Sequence, residues 1–149
     1  MSDPEVLAFL DQQRTLICAT VDRDGWPHLM PLWYVVRDGE LWSWTYARSQ
    51  KVRNLERNDR CTVQVETGTE YAELRGVMIK THAEIVRDVA SVGALGSEIF
   101  GRYVGGGDPD ALPTEAREMI AAQAVKRVGL HFVESERATW DHRKLDGVY

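Results

Sequence analysis

The sequence predicts a mainly β fold, a small antiparallel barrel of about six strands with helical inserts. Three observations carry that expectation. Apolar, β-branched segments alternate with Asp-Gly turns over residues 15–46, which spells a meander. Further strand segments recur at 61–67, 71–88 and 128–142, with helical patterns between them. There is no βαβ alternation and no GxGxxG, which argues against a dinucleotide-binding sheet.

Each element follows from its residues. Ser2 or Asp3 caps a short helix that tolerates Pro4 in its first turn and turns Val6, Leu7, Phe9 and Leu10 inward. TLICATV (15–21) reads as a buried strand, and DRDG (22–25) as a turn. HLMPLWYVV (28–36) is the second strand, closed by a turn at Arg37-Asp38-Gly39. ELWSWTY (40–46) alternates as a third. SQKVRNLERN (49–58) is a short helix with Val52 and Leu55 inward, and CTVQVET (61–67) returns to strand before Gly68. YAELRGVMIKTHAEIVRD (71–88) is one long or bent strand, with Gly76 a bulge or a point of close approach. Helical patterns cover 89–103 and 114–126, with a Gly-rich loop at 105–109 between them. VGLHFVESERATWDH (128–142) closes the fold, and the tail through Tyr149 has the aromatic and charged content of an ordered end that packs on a partner subunit.

Composition narrows the function classes. At 149 residues, 44% hydrophobic and 28% charged, the chain suits one globular domain. A formal net charge of −5 gives no bulk attraction to nucleic acid or to an anionic membrane, so any anion site must be local. Met1 to Glu5 is acidic with no long apolar run behind it, so no secretory leader is expected and the cytoplasm is the default location. No run approaches the roughly 20 apolar residues of a membrane span. Cys18 and Cys61 sit in strand-like surroundings and read as buried thiols. The four histidines, His28, His82, His131 and His142, show no paired ligand spacing, so no metal site is expected. Nucleophile elbows, P-loops and Cys-His signatures are lacking too, so an enzyme of this sequence would draw its reactivity from a cofactor.

Residues 48–60 stand apart. They hold five basic side chains (Arg48, Lys51, Arg53, Arg57, Arg60) against Glu56 and Asp59, about +3 in an acidic protein. Ser49 is a plausible N-cap, so helix amides and the Arg48 and Lys51 charges meet at one place, as an anion requires. A solvated helix face is the alternative. Just before it, Trp42, Trp44 and Tyr46 share one strand face and Leu41, Ser43 and Thr45 the other, with Trp33 on the neighbouring strand. The rings are either core or subunit interface, or a wall for a flat heteroaromatic ring.

TLICATVDRDGWPHLMPLWYVV, LWSWTYARSQKVRNLERNDRCTV and LRGVMIKTHAEIVRD, in that order, resemble the pyridoxamine 5'-phosphate oxidase-like split β-barrel proteins. Within that superfamily they are most similar to the flavin/deazaflavin oxidoreductases that use coenzyme F420. The pattern SxKVRNLxRxxR is the most specific part. The resemblance implies a six-stranded split β-barrel and a homodimer with two cofactor sites at the subunit interface. It implies that Thr45, Arg48, Ser49 and Lys51 hold phosphate while Asn54 supports their helix. Pro31, Leu32 and Trp33 would lie beside the ring system, and Trp140, His142 and Lys144 of the second subunit would close the site. The tail WDHRKLDGVY lacks the Arg-Leu-x-Pro ending of true pyridoxamine-phosphate oxidases, which favours the deazaflavin branch over the vitamin B6 reaction. The implied activity is an F420-dependent reductase passing a hydride to a conjugated small-molecule acceptor, with Tyr46, His142 or water as proton source. The alternatives are an FMN-dependent enzyme of the same fold and a non-catalytic carrier of a flavin, deazaflavin or haem-derived ligand.

Overall fold

The computed structural model describes residues 1–104 and 106–145. Its elements are α1 (Asp3–Gln12), β1 (Leu16–Val21), β2 (Pro27–Leu32), β3 (Tyr34–Arg37), β4 (Glu40–Tyr46), α2 (Gln50–Arg57), β5 (Arg60–Thr67), β6 (Arg75–Val86), α3 (Val89–Tyr103), α4 (Thr114–Ala124) and β7 (Arg127–Asp141). Short 3₁₀ turns occupy Tyr71–Glu73, Pro109–Ala111 and His142–Lys144. The strands form one curled antiparallel sheet in the order β2-β1-β5-β6-β7-β4-β3.

The sheet has seven strands where the sequence suggested about six, and the extra one has a simple origin. The apolar run 28–36 is not continuous. Its first part pairs with β1, through Leu16↔Leu32, and its last part with β4, through Tyr34↔Ser43. Trp33 lies at the crossing, its carbonyl accepting from Ser43 Oγ at 2.7 Å. The two edge strands are thus neighbours in sequence, and this one segment joins the open ends of the sheet.

Alternation sets the inner face. β4 buries Leu41, Ser43 and Thr45 and turns Trp42, Trp44 and Tyr46 outward. Phe9, Leu10, Leu16, Val63, Leu130 and Phe132 are almost fully buried and belong to one cluster. Burying each side chain of that size contributes about 1.5–3 kcal/mol. α1 plugs the cluster with Val6, Phe9 and Leu10, and its start is fixed by the Ser2 amide donating to Glu5 Oε2 at 2.7 Å. Cys18 and Cys61 are both buried and free.

Two boundaries differ from expectation. The segment 71–88 opens with a 3₁₀ turn, so β6 begins at Arg75. Its register shift lies at Lys80/Thr81 and not at Gly76, which is the point of close approach. The tail continues as β7 to Asp141 and one 3₁₀ turn, folding back on its own chain. Residues 146–149 of that predicted tail, and Gly105 of the predicted loop, lie outside the described residues. Among the described residues no helix is long and apolar enough to cross a membrane.

Candidate functional site

β4 hands the chain to α2 through Ala47-Arg48-Ser49, and this junction gathers the predicted anion residues. The Ser49 amide donates to the Tyr46 carbonyl at 3.0 Å, a tight turn that starts the helix. Ser49 occupies the N-cap position, yet its hydroxyl caps nothing. Its Oγ is buried with no hydrogen-bond partner among the described residues. An unsatisfied buried hydroxyl costs about 1–3 kcal/mol, so it marks a place suited to an incoming acceptor. Arg48 is exposed beside it.

Lys51 is not on a solvated face. It is only 6% exposed, because the inward side of α2 also carries Val52, Asn54 and Leu55. Its Nζ donates to Thr45 Oγ1 at 3.0 Å, on the inner face of β4. Burial lowers the Lys51 pKa from its ordinary value, and the positive charge of Arg127 pushes the same way. Cys18 is a nearby acidic group, but its hydrogen bond with Cys61 and its burial raise its own pKa far upward. It is therefore a neutral thiol at pH 7 and gives Lys51 no counter-charge. Asn54 is fully buried, donating to Thr20 Oγ1 at 3.0 Å and accepting from Gln50 Nε2 at 2.8 Å. It ties α2 to β1.

These groups fit the phosphate end of a coenzyme. Arg48, Lys51, one orphaned hydroxyl and the first amides of α2 lie within four residues, and among the described residues no carboxylate pairs with Lys51. Ser43, the other inward polar group of β4, does not join them, since it holds Trp33.

Beside the junction opens a cleft of about 490 Å³. Pro31, Leu32 and Trp33 form one side. Trp44 and Tyr46 form the second, on the outward face of β4. Ile99 and Phe100 of α3 and Met119, Ile120 and Gln123 of α4 cover it. Trp33 is 48% exposed and held by stacking on Tyr103, with centroids 4.5 Å apart and planes at 11°. α3 approaches closely because residue 96 is glycine; a Cβ there would lie 2.5 Å from the Trp44 ring.

Arg127 completes the cleft and escaped the sequence reading. It stands opposite Tyr46 in the β4–β7 register, with its guanidinium carbon 4.4 Å from the Trp44 ring centroid and 4.2 Å from that of Tyr46. The register of two strands eighty residues apart brings it there, and nothing local in the sequence signals that pairing. The helical insert likewise carried no visible role.

The structure does not bring Trp140, His142 and Lys144 to this site within one chain. Trp140 covers Gly76. The His142 ring lies against Tyr71 and its Nδ1 is 2.8 Å from the Tyr71 carbonyl. Lys144 Nζ donates to both carboxylate oxygens of Glu5, at 2.7 and 2.9 Å. Among the described residues no group of three His, Cys, Asp or Glu side chains is placed to hold a metal.

Comparison with known proteins agrees with this architecture. No curated protein matches the chain. The conserved hypothetical protein Rv2991 from Mycobacterium tuberculosis is 38% identical, superposes with a TM-score of 0.89, and the match covers 100% of this chain and 90% of that one. An F420 reductase shares the fold at 23% identity and a TM-score of 0.68, over 88% of this chain and 94% of its own. An FAD-binding protein from Mesorhizobium loti does so at 18% identity and a TM-score of 0.65, over 93% of this chain and 94% of its own. Residues 2–132 match the pyridoxamine 5'-phosphate oxidase family. With that match spanning most of its length, and with structural neighbours sharing its split-barrel sheet, the chain belongs to the pyridoxamine 5'-phosphate oxidase family.

Proposed function

We propose that this protein is an F420-dependent reductase acting on a conjugated small-molecule acceptor. The observation that carries the proposal is the Ser49–Lys51 cradle: a buried ammonium with no carboxylate partner among the described residues, two residues from an orphaned buried hydroxyl, at a junction whose Tyr46 lines an aromatic cleft. The fold shared with an F420 reductase supports it. When bound, the reduced deazaflavin supplies a hydride, two electrons and one hydrogen, to an electron-poor carbon of the acceptor, which then takes up one proton. The chain's own part is to bind and orient. Arg48, Ser49 and Lys51 hold the phosphate through charge-assisted bonds. Thr45 and Asn54 fix Lys51 and the helix that carries it. Pro31, Leu32 and Trp33 flank the rings and exclude water. The Tyr46 hydroxyl, half-exposed at the cleft, is a proton donor within the same wall.

The working unit is proposed to be a homodimer. Val21, Trp26, Leu29 and Met30, in and between β1 and β2, are between 40 and 74% exposed, an apolar edge suited to a second copy. Trp140, His142 and Lys144 would then approach the cleft of the other subunit. Sedimentation analysis tests this directly, and a monomer at micromolar concentration would refute it.

FMN is the second reading, since the same cradle would take its phosphate and a structural neighbour binds FAD. Titration of the apo protein with F420 and with FMN, read by quenching of the five tryptophans, separates the two. Lys51→Ala is expected to weaken the favoured coenzyme by roughly 1.5–3 kcal/mol, about tenfold or more. Binding of neither, or unchanged affinity in Lys51→Ala, would remove the proposed site.

A further inference from the structure

Arg127 is set apart from the other buried or half-buried arginines. Arg37, Arg75 and Arg137 each face a carboxylate, and Arg102 spends its donors on backbone carbonyls. Arg127 has one protein acceptor among the described residues, Gln123 Oε1, at a long 3.5 Å from Nε. Its two terminal nitrogens have none. Among the described residues no carboxylate lies within ion-pair distance of it, and its positive charge acts on Lys51. The guanidinium is nevertheless fixed, because it lies over both Trp44 and Tyr46. A planar fork of donors, held flat on two rings and lacking its anion, borders a cleft of about 490 Å³.

We propose that the part of this cleft covered by α3 and α4 takes the electron acceptor, and that the acceptor is a flat conjugated molecule bearing a carboxylate or similar anion, gripped by Arg127. The proposal rests on the reductase reading and names the substrate class it left open. Shape and charge both contribute. The stretch under α3 and α4 suits a small fused-ring molecule, and Trp44 and Tyr46 offer flat faces to it beside the Pro31–Trp33 wall that takes the coenzyme rings. An anion on the same molecule satisfies Arg127, whereas a neutral isostere leaves the guanidinium without an acceptor. Met119, on the α4 side and 45% exposed, sits where it limits the length of what enters. α3 and α4 therefore act as the specificity element of the fold, while α2 serves the coenzyme.

The test uses 2-naphthoate and its neutral counterpart 2-naphthamide, titrated into the full-length protein by calorimetry. Naphthoate is expected to bind at least tenfold more tightly than the amide. Arg127→Gln should bring the two within about twofold, and Met119→Trp should weaken both. Should Arg127→Gln melt early, Arg127→Lys serves in its place, with a reduced but persistent preference for naphthoate. Failure of naphthoate to bind at millimolar concentration, equal binding of both probes by the unaltered protein, or an unchanged preference in Arg127→Gln would overturn the proposal. A further titration is made with saturating F420 or FMN. Naphthoate that still binds supports a separate acceptor site. Naphthoate displaced by the coenzyme assigns Arg127 to the coenzyme's own tail and overturns the proposal while the reductase reading stands. Anion preference in a protein that binds neither coenzyme would instead keep the Arg127 site and defeat the coenzyme reading.

Discussion

Gly76 and Trp140 face each other across β6 and β7, and the Trp140 ring occupies the space a side chain at 76 would need. A Cβ built at Gly76 would lie 2.1 Å from Trp140 Cζ2. The glycine is there for the tryptophan, and Gly76→Val must expel the ring. The expected loss is about 1–3 kcal/mol, the usual range for overpacking. Urea denaturation measures it, and a red-shifted tryptophan emission should accompany it. In combination with Trp140→Ala the two losses should fall short of additive.

Lys51 is held for binding at the expense of stability. Its folded-state pKa is lowered chiefly by burial from the ordinary 10.5. Between the lowered value and 10.5 the unfolded chain binds more protons, so stability rises with pH across that window. Below it both states are protonated and the burial penalty stands in full. Lys51→Met should therefore raise the melting temperature of the apo protein at pH 7 and flatten the alkaline rise. The same change should weaken coenzyme binding about tenfold or more. A lower melting temperature in Lys51→Met would contradict the unpaired-charge account.

Arg102 clamps α1 to α3. Its guanidinium donates to the carbonyls of Leu10, Asp11 and Gln13 at 3.0, 2.7 and 2.9 Å, and reaches that of Tyr34 at 3.3 Å. These satisfy the end of α1, which has no basic residue of its own in the last turn. Arg102→Ala should cost about 2–3 kcal/mol. Arg102→Lys should recover little of it, because one ammonium cannot span the same carbonyls. Chemical denaturation of both variants decides.

Asp141 ends β7 with its side chain 2% exposed. Hydrogen bonds from Arg143, at 2.9 and 2.8 Å, hold its pKa down to about 2 from an ordinary 3.8. Arg75 Nε adds charge from 3.2 Å without hydrogen-bond geometry. A depressed carboxyl contributes stability that is complete above the unfolded value and lost as pH falls through the folded one. Asp141→Asn should be less stable at neutral pH and lose less on acidification between about pH 4 and 2. Melting curves across that range test it.

Much of this fold was readable in one dimension because its signals are local. The alternation in 40–46, the Val52 and Leu55 spacing in 49–58 and the Asp-Gly turns each act within a few residues. The junction of Thr45, Arg48, Ser49 and Lys51 was readable for the same reason, since all lie within seven residues. The depth of Lys51 was not. A lysine on a basic helix gives no sign that Thr45 and a neutral thiol will receive it. The break at Trp33 was hidden as well, because an apolar run reads the same whether it pairs with one strand or with two.

The strands, their turns and a cationic helix start after an aromatic strand follow from neighbouring residues, because backbone preference and hydrophobic period are local properties. That Arg127 meets Tyr46, that Gly96 lets α3 down onto Trp44 and that 28–36 joins the two edges of the sheet came from the folded arrangement alone. Those are matters of strand register and close packing, which depend on residues far apart in the chain and on the shape of the space between them.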